Sequence, residues 1–285
     1  MQNQPSLRSF AQKYLALRYF VHIGFNGYNY RGWQKQARVV TVQEVLQEKF
    51  SEAFKEPITC IGCGRTDAMV HSVQYFFHFD YYEPLHSDIK FRLNKALPDD
   101  IAIFDIIPMD GYPHAQFDAV ERTYNYFVHT HKNPFLKGLS SLYEVSDLNL
   151  ELMSKAMNRI PKYNDFSLFC KTPLKNDSNI CNVRSVDLFA SPNAERLRFQ
   201  ITADRFTKGM IRIIVKRLLD IGTGELSIDE FEGILSGKIR PSEITIAYPQ
   251  GLYLTRITYP FIDIPQRPDF ASVFEVNCDS GWRKI

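Results

Sequence analysis

Twice along this chain, period-two apolar segments and amphipathic helices follow one another in the order strand, helix, strand, strand, helix, strand. No other feature restricts the fold as much, because each βαββαβ run closes into an antiparallel sheet with its helices on one face. In the first run, Arg18 to Phe25 alternates as a strand. Thr41-Val42-Gln43-Glu44 is a capping box ahead of Val42, Val45, Leu46, Phe50, Ala53 and Phe54 at helical spacing, and Pro57 stops that helix. Alternating segments beginning at Ile58 and at Val73 flank a loop, with Val73, Tyr75, Phe77 and Phe79 on one face of a half-buried strand. Ser87 then opens a helix with Ile89, Leu93 and Leu97 inward, and Ile101 to Ile107 returns as a strand.

The second run begins with the strand Glu121 to His129, followed by a helix capped by Ser146 or Asp147 with Met153, Ala156, Met157 and Ile160 as its core stripe. Val183 to Phe189 and Leu197 to Ala203 form a hairpin around Ser191-Pro192-Asn193. A helix from Phe206 to Ile221, closed by Gly222, a short extra helix from Ser227, and the strand Leu252 to Tyr259 complete it. The expected fold is α+β, two tandem βαββαβ (ferredoxin-like) units with antiparallel sheets joined around a central cleft. The expected boundaries are a polar lead over 1–17, units over 18–112 and 113–262, and a tail over 263–285.

Two loops carry the chemistry-bearing residues. One presents Arg65-Thr66-Asp67 between stiff elements, and it reads equally as a solubilising hairpin tip or as a site held by a rigid scaffold. The other interleaves Tyr28, Tyr30 and Trp33 with Arg31, Gln34 and Gln36. Such a set suits base stacking and edge hydrogen bonding, or a packed loop with polar tips. RNA-recognition modules share the βαββαβ order, but no run here resembles their aromatic signature.

Hydrophobic residues at 45% provide ample core, and a net charge of +2 neither announces nucleic acid nor excludes a local basic cleft. Five cysteines in a chain of 285 residues suit a reducing cytosol, and Cys60-x-x-Cys63 lacks a second pair to complete a zinc site. Met1 to Lys13 lacks the apolar core of a secretory signal, and no apolar run is long enough to cross a bilayer. A cytoplasmic protein with no membrane partner and no metal is expected.

In order along the chain stand Tyr30-Arg31-Gly32-Trp33-Gln34-Lys35-Gln36, Thr41-Val42-Gln43, Gly64-Arg65-Thr66-Asp67-Ala68-Met69-Val70-His71 and Asn94-Lys95-Ala96-Leu97-Pro98. They are followed by Phe117-Asp118-Ala119, Arg122-Thr123-Tyr124-Asn125-Tyr126, Phe206, Met210-Ile211-Arg212 and Gly251-Leu252-Tyr253-Leu254. On these motifs the chain resembles the TruA-type pseudouridine synthases from about Phe20 to Pro260. The resemblance implies isomerisation of uridine in structured RNA, above all at positions 38 to 40 of the tRNA anticodon stem-loop, by a homodimer without metal or organic cofactor. It makes Asp67 the nucleophile and Arg212 its cationic partner. It makes Tyr124 the residue stacked on a flipped-out target base, and Arg65, Arg31 and Gln34 contacts to RNA. An adjacent cation favours the ionised form of a carboxylate.

Three positions depart from the family pattern. Met69 and Lys216 stand where glycine is usual, and Tyr248 stands where proline is commoner. They leave open a paralogue acting on another RNA site, or a non-catalytic RNA-binding relative. Independent of family, a carboxylate hydrolase of nucleosides or sugars also fits the residues.

Overall fold

A ten-stranded sheet organises the computed structural model, which describes residues 16–145, 147–265 and 281–285. In chain order the strands are β1 (Leu17–Phe25), β2 (Ile61–Gly62), β3 (His71–Tyr81), β4 (Ile101–Met109), β5 (Glu121–His129), β6 (Ser141–Leu142), β7 (Val183–Ala190), β8 (Arg196–Ala203), β9 (Leu252–Thr258) and β10 (Arg283–Lys284). They lie in the order β10-β7-β8-β5-β9-β3-β1-β4, with β2 on β3 and β6 on β5. Pairing is antiparallel except at β5–β6 and β3–β9, the latter only two residue pairs long, His71 with Tyr253 and Ser72 with Leu254. Among the described residues five α-helices accompany the sheet: α1 (Val42–Phe54), α2 (Ile89–Ala96), α3 (Leu150–Met157), α4 (Met210–Thr223) and α5 (Ile228–Leu235). Among the described residues no helix is long and apolar enough to cross a membrane.

Two large apolar clusters follow from this layout. One joins α1, α2 and β1, β3 and β4 residues with Leu254, Ile257 and Tyr259 from the end of the chain. The other joins α3, α4 and α5 to β5, β7 and β8 and takes in Val70. Each cluster thus borrows residues from the other half of the chain.

Several expectations change on inspection. Strand β3 is buried on both faces rather than one. Tyr75, Phe77 and Phe79 meet α1 and Trp33 on one side, with Phe50 at 5.4 Å from Phe77 and 5.3 Å from Phe79. On the other side, Gln74 Nε2 donates to Ile264 O at 3.1 Å, Phe76 meets Tyr259 edge-on at 5.4 Å, and Ala115 N donates to His78 Nδ1 at 3.1 Å. Period-two alternation reports one covered face, and here remote segments cover the second.

The segment expected as a strand from Ile58 contributes only Ile61 and Gly62 to the sheet. Side chains one turn apart on α1 satisfy its backbone instead. Ile58 N donates to Ser51 Oγ at 2.9 Å, Cys60 N donates to Gln47 Oε1 at 3.3 Å, and Gln43 Nε2 donates to Cys60 O at 2.8 Å.

The cap of α3 is Asn149, whose side chain accepts from Leu152 N, rather than Asp147; Ser146 lies outside the described residues. Helix α4 begins at Met210, after Gly209 at φ +79°, and not at Phe206. Its glycine cap is Gly224, at φ +81°, because Gly222 is needed inside the helix for space. A Cβ on Gly222 would lie 2.6 Å from Met153 Sδ. Strand β10, on β7, was not anticipated from the tail.

His71 ties the halves together. Its Nδ1 accepts from Gly27 N at 3.1 Å, so Nε2 carries the proton and donates to Gln250 O at 3.1 Å. The ring stacks on Tyr253 at 4.3 Å. Burial pushes its pKa down to about 4. The folded state therefore binds this proton more weakly than the unfolded chain does. His71 stabilises fully above about pH 6.5 and loses that contribution as pH falls through about 4. His78, also held down to about 4 chiefly by burial, adds in the same direction. Urea unfolding between pH 7 and pH 4 should show a steady fall in stability. His71→Gln, which keeps one donor and one acceptor but does not titrate, should remove about 3 kcal/mol of that fall.

Candidate active site around Asp67

Between β2 and β3 the chain runs through Cys63, Gly64, Arg65, Thr66 and Asp67, and almost every turn of this loop is bonded to something rigid. Cys63 N donates to Phe76 O at 2.8 Å, and the Tyr75 hydroxyl donates to Gly64 O at 2.5 Å. Trp33 N donates to Thr66 O at 3.3 Å, Met69 N to Tyr30 O at 3.1 Å, and Val70 N to Asp67 O at 3.2 Å. The segment around Gly32 lies directly on the loop: at φ +89°, a Cβ on Gly32 would stand 2.3 Å from Thr66 O. Only glycine combines that dihedral with that approach.

Met69 takes the left-handed conformation itself, at φ 64°. A side-chain-bearing residue holds this dihedral at a cost of about 1 kcal/mol that the surrounding bonds must offset.

The Asp67 carboxylate meets a residue 145 positions away. Arg212, in the first turn of α4, donates from Nη1 to Asp67 Oδ2 at 3.0 Å. The arginine side chain is only 9% exposed, whereas that of Asp67 is 28% exposed. Arg212 is itself held at both ends, because Nε donates to Ala247 O at 2.8 Å and its carbonyl accepts from Ala247 N at 3.0 Å. The guanidinium is thus fixed and desolvated, while the carboxylate remains open to a ligand. Among the described residues Arg212 is the sole hydrogen-bond donor to the carboxylate, on Oδ2, which leaves Oδ1 uncommitted. Removing Asp67 would leave the desolvated Arg212 guanidinium without its counter-charge, the costlier of the two losses because Asp67 can still reach water.

Tyr124 sits on β5 at the seam, packed against both apolar clusters. Phe206 meets its ring edge-on at 5.2 Å, and burial pushes its phenol upward. Asp67, Arg212 and Tyr124 are therefore brought into one region. Arg31, Gln34 and Arg65 are exposed on the two loops that pack together there. Among the described residues their side chains form no hydrogen bond or ion pair, so they are uncommitted.

The aromatic loop is less available than its sequence suggests. Tyr30 and Trp33 are buried, Tyr30 with its hydroxyl on Asp100 and Trp33 with its ring 4.2 Å from Tyr75. They are core, and of the three aromatics only Tyr28 is exposed. Cys60 and Cys63 are buried free thiols. Burial pushes Cys63 up to about 12 and Cys60 up as well, so thiolate chemistry is disfavoured at both.

Sequence reading assigned no role to Arg122. Its guanidinium collects four carbonyl oxygens: Ala119 and Gln116 at 2.8 Å, Asp204 at 2.9 Å and Cys63 at 3.3 Å. It thereby fixes the start of the Asp67 loop to two other connections. The available signal was positional, since Arg122 lies two residues before Tyr124 and so on the same strand face.

A family model described as tRNA pseudouridine synthase matches residues 163–260, the stretch containing Arg212 and Ala247. The chain is 38% identical over 247 residues to the tRNA pseudouridine synthase A of Parabacteroides distasonis, covering 85% of this chain and 96% of that one. It is 36% identical over 246 residues to the protein of the same name from Porphyromonas gingivalis, covering 85% and 97%. A third, from Azobacteroides pseudotrichonymphae, is 38% identical over 245 residues, again covering 85% and 97%. With relatives this similar across nearly their entire length, the chain belongs to the tRNA pseudouridine synthase family of isomerases.

Proposed function

We propose that this protein converts uridine to pseudouridine in the tRNA anticodon stem-loop, at positions 38 to 40, with Asp67 as the nucleophile. The observation that carries the reading is the contact between Arg212 and Asp67, in which a buried fixed cation orients a carboxylate that a ligand can still reach. The reaction breaks the N1–C1′ bond of uridine, turns the uracil and rejoins it through C5; C5 gives up its proton and N1 ends protonated, so substrate and product contain the same atoms. A carboxylate supplies the electron pair for covalent work at a glycosidic centre. Arg212 orients that group, and Tyr124 stacks on the target base. Flipping a base out of a helix costs a few kcal/mol, which stacking and phosphate contacts offset. The uncommitted side chains of Arg65, Arg31 and Gln34 suit those contacts.

The same reading takes the fold as two tandem ferredoxin-like units, over 18–112 and 113–262. The strand orders β4-β1-β3-β2 and β9-β5-β8-β7 support it, since both follow one pattern. It also makes the protein a cytoplasmic homodimer, as the family resemblance implies.

Mapping pseudouridine in tRNA transcripts by carbodiimide adduct and primer extension tests the proposal. The wild type should modify the anticodon stem-loop. Asp67→Asn should lower the single-turnover rate at least about a thousandfold while still binding tRNA. A wild type that modifies no uridine, or an Asp67 variant as fast as wild type, defeats the proposal. Release of free uracil would instead identify a hydrolase. Gly32→Ala should slow the reaction about tenfold or more through displacement of Thr66 and Asp67, with tRNA affinity changed less. Arg212→Lys should also be slow, because an ammonium cannot hold Ala247 O and Asp67 in the fork geometry of a guanidinium.

A further inference from the structure

The segment leading from α5 into β9 is gripped by the two residues that bracket the Asp67 loop. Ala247 exchanges both backbone groups with Arg212, and Gln250 O accepts from His71 Nε2. Tyr248 lies between these anchors, and its own backbone is fixed on both sides. Its N–H donates to the Tyr143 hydroxyl at 3.1 Å, and its carbonyl accepts from the Tyr126 hydroxyl at 2.6 Å. Pro249 follows and restricts it further.

Despite this, the side chain of Tyr248 is among the exposed large hydrophobics, at 55%. Its ring stands 5.3 Å from that of the half-buried Tyr143, tilted by 35°. An exposed aromatic on a pinned backbone, backed by a second ring, loses little freedom when a further flat group stacks on it. Positive charge lies alongside. Lys216 lies one turn after Arg212 on α4, and the Arg212 carbonyl holds Ala247 N, the residue before Tyr248, at 3.0 Å. Lys216 and Arg217 share the single carboxylate of Asp220, which leaves a net positive charge there. Aromatic rings beside cations form the usual surface for single-stranded nucleic acid. The fold thus gathers Tyr248 and Lys216 on one flank of Arg212.

We infer that Tyr248 is a specificity-determining residue, its ring stacking on a nucleobase of the RNA loop that flanks the target uridine. The inference rests on the proposed RNA isomerase reading and adds a second base contact outside the target itself. It selects RNAs whose flanking nucleotide can leave its own stack and lie on the tyrosine.

The test uses the full-length protein and a fluorescein-labelled anticodon stem-loop RNA. Tyr248→Leu should weaken equilibrium binding about tenfold while slowing the chemical step at saturating protein less than about threefold, and Tyr248→Phe should restore the affinity. Abasic substitution along the loop should reveal one flanking position at which wild type loses affinity and Tyr248→Leu loses nothing more. If Tyr248→Leu binds as tightly as wild type, or if every abasic substitution weakens both proteins equally, the tyrosine only covers Tyr143 and the inference is wrong. Pseudouridine formation by wild type on the same RNA separates the two claims. A wild type that binds without forming product overturns the isomerase reading alone. An active wild type beside a normally binding Tyr248→Leu overturns the stacking alone. A wild type that neither binds nor reacts overturns both.

Discussion

The short parallel pairing of β3 with β9 is the constraint on which the site depends. Two residue pairs join the halves of the sheet there, far fewer than the ladders on either side provide. Buried polar side chains hold the rest of the seam. Ser72 Oγ lies 3.0 Å from the carbonyls of Gln74 and Leu254, and Gln74 Oε1 accepts from Ile257 N at 2.9 Å. Behind β9, Asn125 Nδ2 donates to Thr255 Oγ1 at 2.8 Å, and that hydroxyl donates to Thr123 O at 3.1 Å. Each of these groups would be costly to bury without its partner. A one-residue slip of β9 would orphan several at once, so the register of the seam is specified more sharply than its length suggests. Asp67 lies four residues before His71, where that seam begins, and Arg212 reaches it from the helix on the other side. Fixing the register therefore fixes the carboxylate against its cation.

How much of this was legible from sequence depended on the range of the interaction. The β1, β3, β4, β5, β7, β8 and β9 strands and the apolar faces of α1, α3 and α4 could be read from periodicity, because local alternation and helical spacing express burial by the nearest layer. The second burial of β3 could not, since its cover comes from residues after β9 and from Ala115 on the β4–β5 connection. Neither could the pairing of Ile58 and Cys60 with Ser51, Gln47 and Gln43. A polar stripe on a helix reads as solvated until a chain segment is found lying on it. The end of α4 was misplaced because Gly222 and Gly224 look alike in sequence, although one provides space for Met153 and the other a left-handed cap.

At the site, Asp67 stood out only through the ordered motifs. By local pattern alone, an Arg–Asp pair in a hairpin loop has an innocent explanation. Arg122 was overlooked for the opposite reason, because an arginine on a strand normally reaches water, and its four carbonyl partners come from connections that no local pattern brings together. The aromatic loop misled because composition does not say which way a ring points. Trp33 and Tyr30 serve the core, and their burial is what carries the Gly32 backbone against Thr66.

A pseudouridine synthase must keep hold of a detached uracil while it turns, and the construction around Asp67 suits that demand. Backbone bonds, the glycine contact at Gly32 and the carbonyl cage of Arg122 immobilise the loop. The side chains meant for solvent, Arg31, Gln34 and Arg65, are left uncommitted. Rigidity is thus invested in the backbone and the buried cation, where it lowers the cost of reaching a reactive geometry. Adaptability is kept in long polar side chains, which can follow an RNA of irregular shape. The modest net charge of +2 is compatible with such a surface, because a few locally clustered cations set the field at a site whatever their sum over the chain.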